Sequence, residues 1–105
     1  SVLKHLDFEE RIKYLLGEVS PKNYSFISNY HFGGYAKKTG ELIDFMNMFY
    51  KNYSVPLDFV YTGKMMYGVF NLINEDYFAQ NSKILCLHTG GLQGNDSLLP
   101  GVLKF

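Results

Sequence analysis

Thr89-Gly90-Gly91-Leu92-Gln93-Gly94 sets one hydroxyl and three glycines directly behind an apolar run. Glycine lets a backbone approach a ligand closely, and a threonine hydroxyl can hydrogen-bond a ring nitrogen or a phosphate. In parallel α/β sheets, ligands sit beyond the carboxyl ends of the strands, where such loops lie. The same composition also makes an ordinary turn, and these residues alone leave both readings open. The G-x-G-x-x-G spacing is absent and no Gly-Lys-Ser/Thr follows, so neither a dinucleotide fingerprint nor a nucleotide phosphate loop is present.

Tyr61-Thr62-Gly63-Lys64 is the second candidate. A helix beginning there would offer the Thr62 hydroxyl, the Gly63 amide and the positive end of the helix dipole to an anion, with Lys64 adding charge or facing solvent. Tyr35, between Gly34 and Ala36, has small neighbours that leave its ring open to a cleft. A tyrosine can act as acid, base or carboxylate anchor, although most of the nine tyrosines must serve packing. Cys86 and His88 are two apart and share a face on a strand, but no further ligand pair stands at metal-site spacing. An apolar run raises a thiol pKa, which disfavours a Cys-His nucleophile. His88 reads as a hydrogen-bonded supporting residue.

Helices and short strands must position these groups. Asp7 and Glu10 form an Asp-x-x-Glu capping box, followed by Phe8, Ile12, Leu15 and Leu16 on one face and Gly17 as a stop. Residues 24–30 have the composition of a short strand, and His31-Phe32-Gly33-Gly34-Tyr35 is a loop. Thr39 can cap a second helix carrying Leu42, Phe45, Met46, Phe49 and Tyr50, which residues 52–56 stop. Residues 57–60 read as brief and extended. Thr62 then caps a third helix with Met65, Met66, Val69, Phe70 and Ile73 as its apolar stripe. Ile84-Leu85-Cys86-Leu87, after a polar turn at 80–83, reads as a strand buried on both faces. The tail at 95–105 has no clear period. The alternation predicts an α/β layer with short, mostly parallel strands flanked by helices. No repeat, low-complexity segment or internal boundary divides residues 1–105, so the chain reads as one domain or part of one.

Composition narrows the function classes. Of 105 residues, 47% are apolar, enough for a packed core. Ten acidic and ten basic residues balance, so no net field favours nucleic acid or an anionic membrane. No apolar stretch approaches the roughly 20 residues of a membrane span. The single cysteine, Cys86, can make no internal disulfide, which favours a reduced, cytoplasmic protein. The start at Ser1-Val2-Leu3-Lys4, without Met, reads as a strand-to-loop transition under way and predicts a fragment or a cleaved product.

Three segments stand in one order: Tyr30-His31-Phe32-Gly33-Gly34-Tyr35-Ala36, Val60-Tyr61-Thr62-Gly63-Lys64 and His88-Thr89-Gly90-Gly91-Leu92-Gln93-Gly94. Together they resemble the tryptophan-synthase-β-like (fold type II) pyridoxal-phosphate enzymes, in the branch of D-cysteine desulfhydrase and 1-aminocyclopropane-1-carboxylate deaminase. The resemblance covers nearly the whole chain and implies the carboxyl-terminal portion of a larger domain. It implies pyridoxal 5'-phosphate as cofactor and a small amino acid as substrate. Tyr35 and Tyr61 resemble the two active-site tyrosines. Thr89 resembles the residue at the pyridine nitrogen, with Gly90 and Gly91 beside the cofactor. Thr62, Gly63 and Leu92 are implied at the substrate.

Three departures refine the resemblance. Ala36 replaces the second glycine of a Gly-Tyr-Gly loop. The ring-opening deaminases carry Tyr-Glu-Gly where this chain has Tyr61-Thr62-Gly63, and leucine where it has Thr89. A neutral hydroxyl at the pyridine nitrogen implies a moderate electron sink, suited to elimination. Both threonines therefore point to a desulfhydrase-like lyase. Finally, nothing here matches the family's cofactor-holding lysine, nearby serine or phosphate loop, which lie in the amino-terminal part. The implied partner is that missing part, the chain is expected to be inactive alone, and a homodimer remains open. The competing expectation is a non-catalytic α/β interaction or structural module.

Overall fold

The computed structural model describes residues 10–11, 14–17, 25, 27, 29–30, 32 and 39–105. Two helices organise it: α1, Gly40–Tyr53, and α2, Thr62–Asn74, followed by a short 3-10 helix, Gln93–Ser97.

The start of α1 follows the sequence expectation. Thr39 is extended, and its hydroxyl accepts the Leu42 N–H at 3.2 Å. Glu41 in the first turn and Lys51 in the last complement the helix dipole. Ser54 adopts a left-handed conformation, φ 58°, and its N–H donates to the Tyr50 carbonyl, closing the helix. Leu42, Ile43, Met46 and Phe49 form the buried face. With Leu57, Phe59 and Val60 they make the core, and each fully buried aliphatic side chain is worth about 1.5–3 kcal/mol.

Phe45 and Phe49 of α1 meet Phe70 of α2 edge-on, with centroids 5.5 and 5.6 Å apart, and Phe45 meets Tyr67 at 5.4 Å. Edge-to-face contacts of this kind favour the aromatic quadrupoles. The face of α2 that is fully buried is nonetheless made by Thr62, Gly63, Lys64 and Gly68. The expected stripe of Met65, Met66, Val69 and Phe70 is only half-buried, and Ile73 is exposed. Small residues win this face because the backbones come close. A Cβ on Gly63 would lie 2.6 Å from the Asp58 carbonyl oxygen and 3.0 Å from Met46 Sδ.

The carboxyl-terminal tail folds back on α1. Asn47 donates through Nδ2 to the Val102 carbonyl at 3.0 Å and accepts the Lys104 N–H through Oδ1 at 2.8 Å. One side-chain amide thus satisfies two backbone groups of a segment that has no other ladder.

Three sequence expectations are corrected. Thr62 is the first residue of α2 and not its cap. Residues 57–60 are not extended throughout, because the chain turns at 59–61. Residues 84–87 adopt no strand, and Leu85 and Leu87 are 86% and 69% exposed. No strand pairing occurs among the described residues, so the sheet of the expected α/β layer is absent from them. Of the first expected helix, residues 10–11 and 14–16 are helical and Gly17, φ 67°, stands at its end. Asp7, Phe8 and Ile12, most of the strand expected at 24–30, and the loop at 31–35 apart from Phe32 lie outside the described residues.

Candidate functional site

The candidate site is built where the chain turns into α2. Asp58 is buried, and its Oδ1 accepts the N–H of Tyr61 at 2.7 Å and of Thr62 at 3.0 Å. The Thr62 hydroxyl in return accepts the Asp58 N–H at 2.9 Å, and the Gly63 N–H donates to the Asp58 carbonyl at 2.7 Å. The carboxylate, three to four residues upstream, therefore does the capping that the sequence assigned to Thr62. A negative charge beside the first N–H groups of α2 also suits the helix dipole. Thr62 and Gly63, expected to meet substrate, are buried in this turn. The Thr62 hydroxyl serves the Asp58 backbone, and the N–H groups of both residues donate to Asp58, so the turn is spent on holding its own geometry.

Tyr61 is turned outward from that turn and is half exposed. It borders a cavity of about 340 Å³ that Val60, Lys64, Met65, Gly68 and Val69 also line. The Lys64 side chain is buried, and burial lowers its amine pKa below the ordinary lysine range. The Tyr30 ring closes one side, 2.9 Å from where a Gly68 Cβ would stand. The Tyr30 hydroxyl accepts Asn71 Nδ2 at 2.7 Å.

The glycine loop is tied to the same turn from two directions. His88 Nε2 lies 2.9 Å from the Pro56 carbonyl, and the Gly90 N–H donates to His88 Nδ1 at 3.0 Å. With Nδ1 accepting the Gly90 N–H, Nε2 is the donor to the Pro56 carbonyl. Farther along, Asn95 Oδ1 accepts the Phe59 N–H at 3.0 Å and Nδ2 donates to the Leu57 carbonyl at 2.9 Å. Gly94 packs so closely on Val60 that a Cβ would sit 2.7 Å from its Cγ2. Between these anchors, Thr89, Gly90 and Gly91 are exposed. Gly90 and Gly91 have φ of 80° and 79°, values that glycine adopts without strain.

The structure thus brings the Thr89–Gly91 loop and the Tyr61 turn onto one short segment, residues 56–60. Of the cavities lined by described residues, the one beside Tyr61 does not include the Thr89–Gly91 loop. Leu92 lines a separate shallow depression with Asn95, Leu98 and Leu103. Tyr35 lies outside the described residues. Asp58 and Asn95, which hold the arrangement, were not singled out from sequence. Their one visible signal was a short polar side chain beside a turn, which is common. Among the described residues no cluster of three or more His, Cys, Asp or Glu could hold a metal ion, and no helix is long and apolar enough to cross a membrane.

No family model matches the chain, and no solved structure matches it. Curated proteins do. A Pyrococcus horikoshii protein, named provisionally as a 1-aminocyclopropane-1-carboxylate deaminase, is 39% identical over 77 residues, covering 73% of this chain and 22% of that protein. The Arabidopsis thaliana bifunctional D-cysteine desulfhydrase/1-aminocyclopropane-1-carboxylate deaminase, a mitochondrial protein, is 44% identical over 62 residues, covering 58% of this chain and 16% of that one. The 1-aminocyclopropane-1-carboxylate deaminase of Allorhizobium ampelinum is 30% identical over 74 residues, covering 70% and 22%. The chain therefore spans less than a quarter of the length of these relatives. On the order of its motifs and these likenesses, it belongs to the D-cysteine desulfhydrase and 1-aminocyclopropane-1-carboxylate deaminase family.

Proposed function

We propose that this chain is the carboxyl-terminal wall of the active site of a pyridoxal-phosphate-dependent lyase acting on a small amino acid. Its reaction is elimination to a keto acid and ammonia with a leaving group such as sulfide, as in a D-cysteine desulfhydrase. The observation that carries this reading is the pair of threonines in the family motifs, Tyr61-Thr62-Gly63 and Thr89-Gly90-Gly91, set beside relatives that bear both names. The fold proposed with it is the α/β layer of that family, with its sheet completed by the rest of the enzyme.

The residues present fit the cofactor. Thr89 offers an exposed hydroxyl to a pyridine nitrogen, and Gly90 would have no atom within 4 Å of an added Cβ, so a flat ring can approach the backbone there. Bound, the cofactor supplies the electron sink for the substrate's α-carbon. The contribution of this chain is positional. Thr89 orients the ring through a neutral hydrogen bond. Tyr61, its backbone fixed by Asp58, presents a phenol that can hold a proton or anchor a carboxylate at Oη. The buried Thr62–Gly63 turn keeps that phenol in place.

The test is spectroscopic. A full-length enzyme carrying this segment should show the visible absorbance of bound pyridoxal phosphate and release sulfide from D-cysteine. A correctly folded parent without that absorbance would overturn the reading. The second reading, an interaction module without catalysis, draws on the exposed Leu85 and Leu87. Titration with an amino-terminal part separates the two: restored turnover supports the split enzyme, and binding without turnover supports the module.

A further inference from the structure

Both ring nitrogens of His88 are engaged with main chain. Nδ1 accepts the Gly90 N–H at 3.0 Å, and Nε2 donates to the Pro56 carbonyl at 2.9 Å. The first bond skips a single residue, Thr89. It closes a loop of bonds that runs from the imidazole through the His88 backbone, along both soft torsions of Thr89, to the Gly90 nitrogen. While that loop is closed, the direction in which Thr89 carries its hydroxyl cannot drift. The second bond ties the same ring to Pro56, close before Asp58, whose carboxylate takes the Tyr61 N–H. One side chain therefore connects the segment that aims Tyr61 to the residue that carries the exposed hydroxyl.

Little else holds Thr89. Gly90 and Gly91 follow it with φ of 80° and 79°, and glycine has more backbone freedom to lose than any other residue. A Cβ added at Gly90 would meet nothing within 4 Å, so packing does not fix that position. Among the described residues, 88–91 make no hydrogen bond from main chain to main chain.

We propose that His88 is the positioning residue for the cofactor contact of Thr89. Through the Gly90 amide it holds the Thr89 hydroxyl toward the pyridine nitrogen, and through Pro56 it keeps that hydroxyl in register with the Tyr61 phenol. The proposal rests on the functional reading above, which supplies the cofactor. With both nitrogens spent on the backbone, His88 moves no proton in the reaction.

A full-length enzyme carrying this segment tests it. His88→Gln brings an amide donor near the place of Nε2 and leaves the Gly90 N–H without its acceptor. His88→Asn brings an oxygen near the place of Nδ1, as in an Asx turn, and gives up Pro56. The glutamine variant should bind pyridoxal phosphate about 3- to 10-fold more weakly, the effect of one hydrogen bond, and should shift the visible band in the same direction as Thr89→Val. The asparagine variant should lose less. Because His88 acts through the Thr89 hydroxyl, the losses should not add: in the Thr89→Val enzyme, His88→Gln should cost nothing further. Wild-type affinity in His88→Gln would overturn the proposal, and so would a loss that persists in full beside Thr89→Val, which is what a merely structural histidine would give. In the full chain without cofactor, the ¹⁵N shifts of the neutral His88 ring should place its proton on Nε2, and a proton on Nδ1 would overturn the proposal as well. A folded wild-type parent that binds no pyridoxal phosphate would overturn the functional reading, and the cofactor role of His88 with it. A normal wild-type parent beside an unaffected glutamine variant would overturn this proposal alone.

Discussion

Asp58 accepts the backbone N–H of Tyr61 at 2.7 Å, and this contact sets where the tyrosine leaves the chain. Because the same oxygen also takes the Thr62 N–H, one carboxylate governs both the start of α2 and the direction of the phenol. Asp58→Ala removes the one oxygen that accepts both amides of the turn. It should cost about 1–2 kcal/mol of stability, the range of a lost helix cap. Asp58→Asn keeps an acceptor and should lose less. Denaturant midpoints of the two variants measure the difference, and an equal loss in both would mean that charge rather than geometry holds the turn.

Tyr61 and Tyr35 are the two residues to which the proposed function gives catalytic roles. In a full-length enzyme bearing this segment, Tyr61→Phe keeps the ring and removes only Oη. Turnover should fall by about 10²- to 10⁴-fold if that oxygen moves a proton, with cofactor absorbance nearly unchanged. Tyr35→Phe should likewise lower turnover more than cofactor retention. Assays of sulfide release beside absorbance titrations separate the two effects, and wild-type turnover in both variants would remove the roles assigned to them.

Much of this arrangement was legible in the sequence because the signals were local. Thr39 precedes a helical period and caps α1, and the period runs until Ser54 turns left-handed. The misreading at Thr62 has a physical cause. A hydroxyl directly before a helical stripe is the usual cap, but here Asp58 reaches across the turn and converts Thr62 into its reciprocal partner. The half-exposed stripe of α2 has a similar cause, since Gly63 and Gly68 admit Met46 and Tyr30 more closely than any apolar side chain would. Asn47 and Asn95 act over 55–57 and 36–38 residues of sequence, a range at which no periodicity reports contact. Residues 84–87 read as a buried strand because their composition suits a sheet, and no partner strand lies among the described residues.

The Tyr67 phenol donates to the Glu41 carboxylate across the two helices. That hydrogen bond first, and burial after it, raises the tyrosine pKa above its ordinary value near 10. The folded state therefore holds the phenolic proton at pH values where the unfolded chain has released it. The contribution to stability is complete below the unfolded pKa of about 10 and is lost as pH rises through the folded value. Tyr67→Phe should remove this loss. Melting temperatures from pH 8 to 11 should decline less steeply for the variant than for the wild-type chain, and parallel curves would exclude the coupling.

Asn95 offers the sharpest test of how the glycine loop is held. Its two amide ends are used in opposite senses, Oδ1 as acceptor of the Phe59 N–H and Nδ2 as donor to the Leu57 carbonyl. Asn95→Ala loses both bonds and leaves both backbone groups to find water. Asn95→Asp keeps the first bond but faces the Leu57 carbonyl with a second oxygen, so repulsion replaces the donor. Near neutral pH the aspartate should therefore destabilise the chain at least as much as alanine does, by about 1–3 kcal/mol. Protonation restores a donor, so lowering the pH through the carboxylate range should recover part of that loss relative to the alanine variant. Denaturant midpoints of the two variants at pH 7 and pH 4 decide the point. An aspartate variant as stable as the wild type at pH 7 would show that the loop is held by its glycine packing on Val60 and not by the amide.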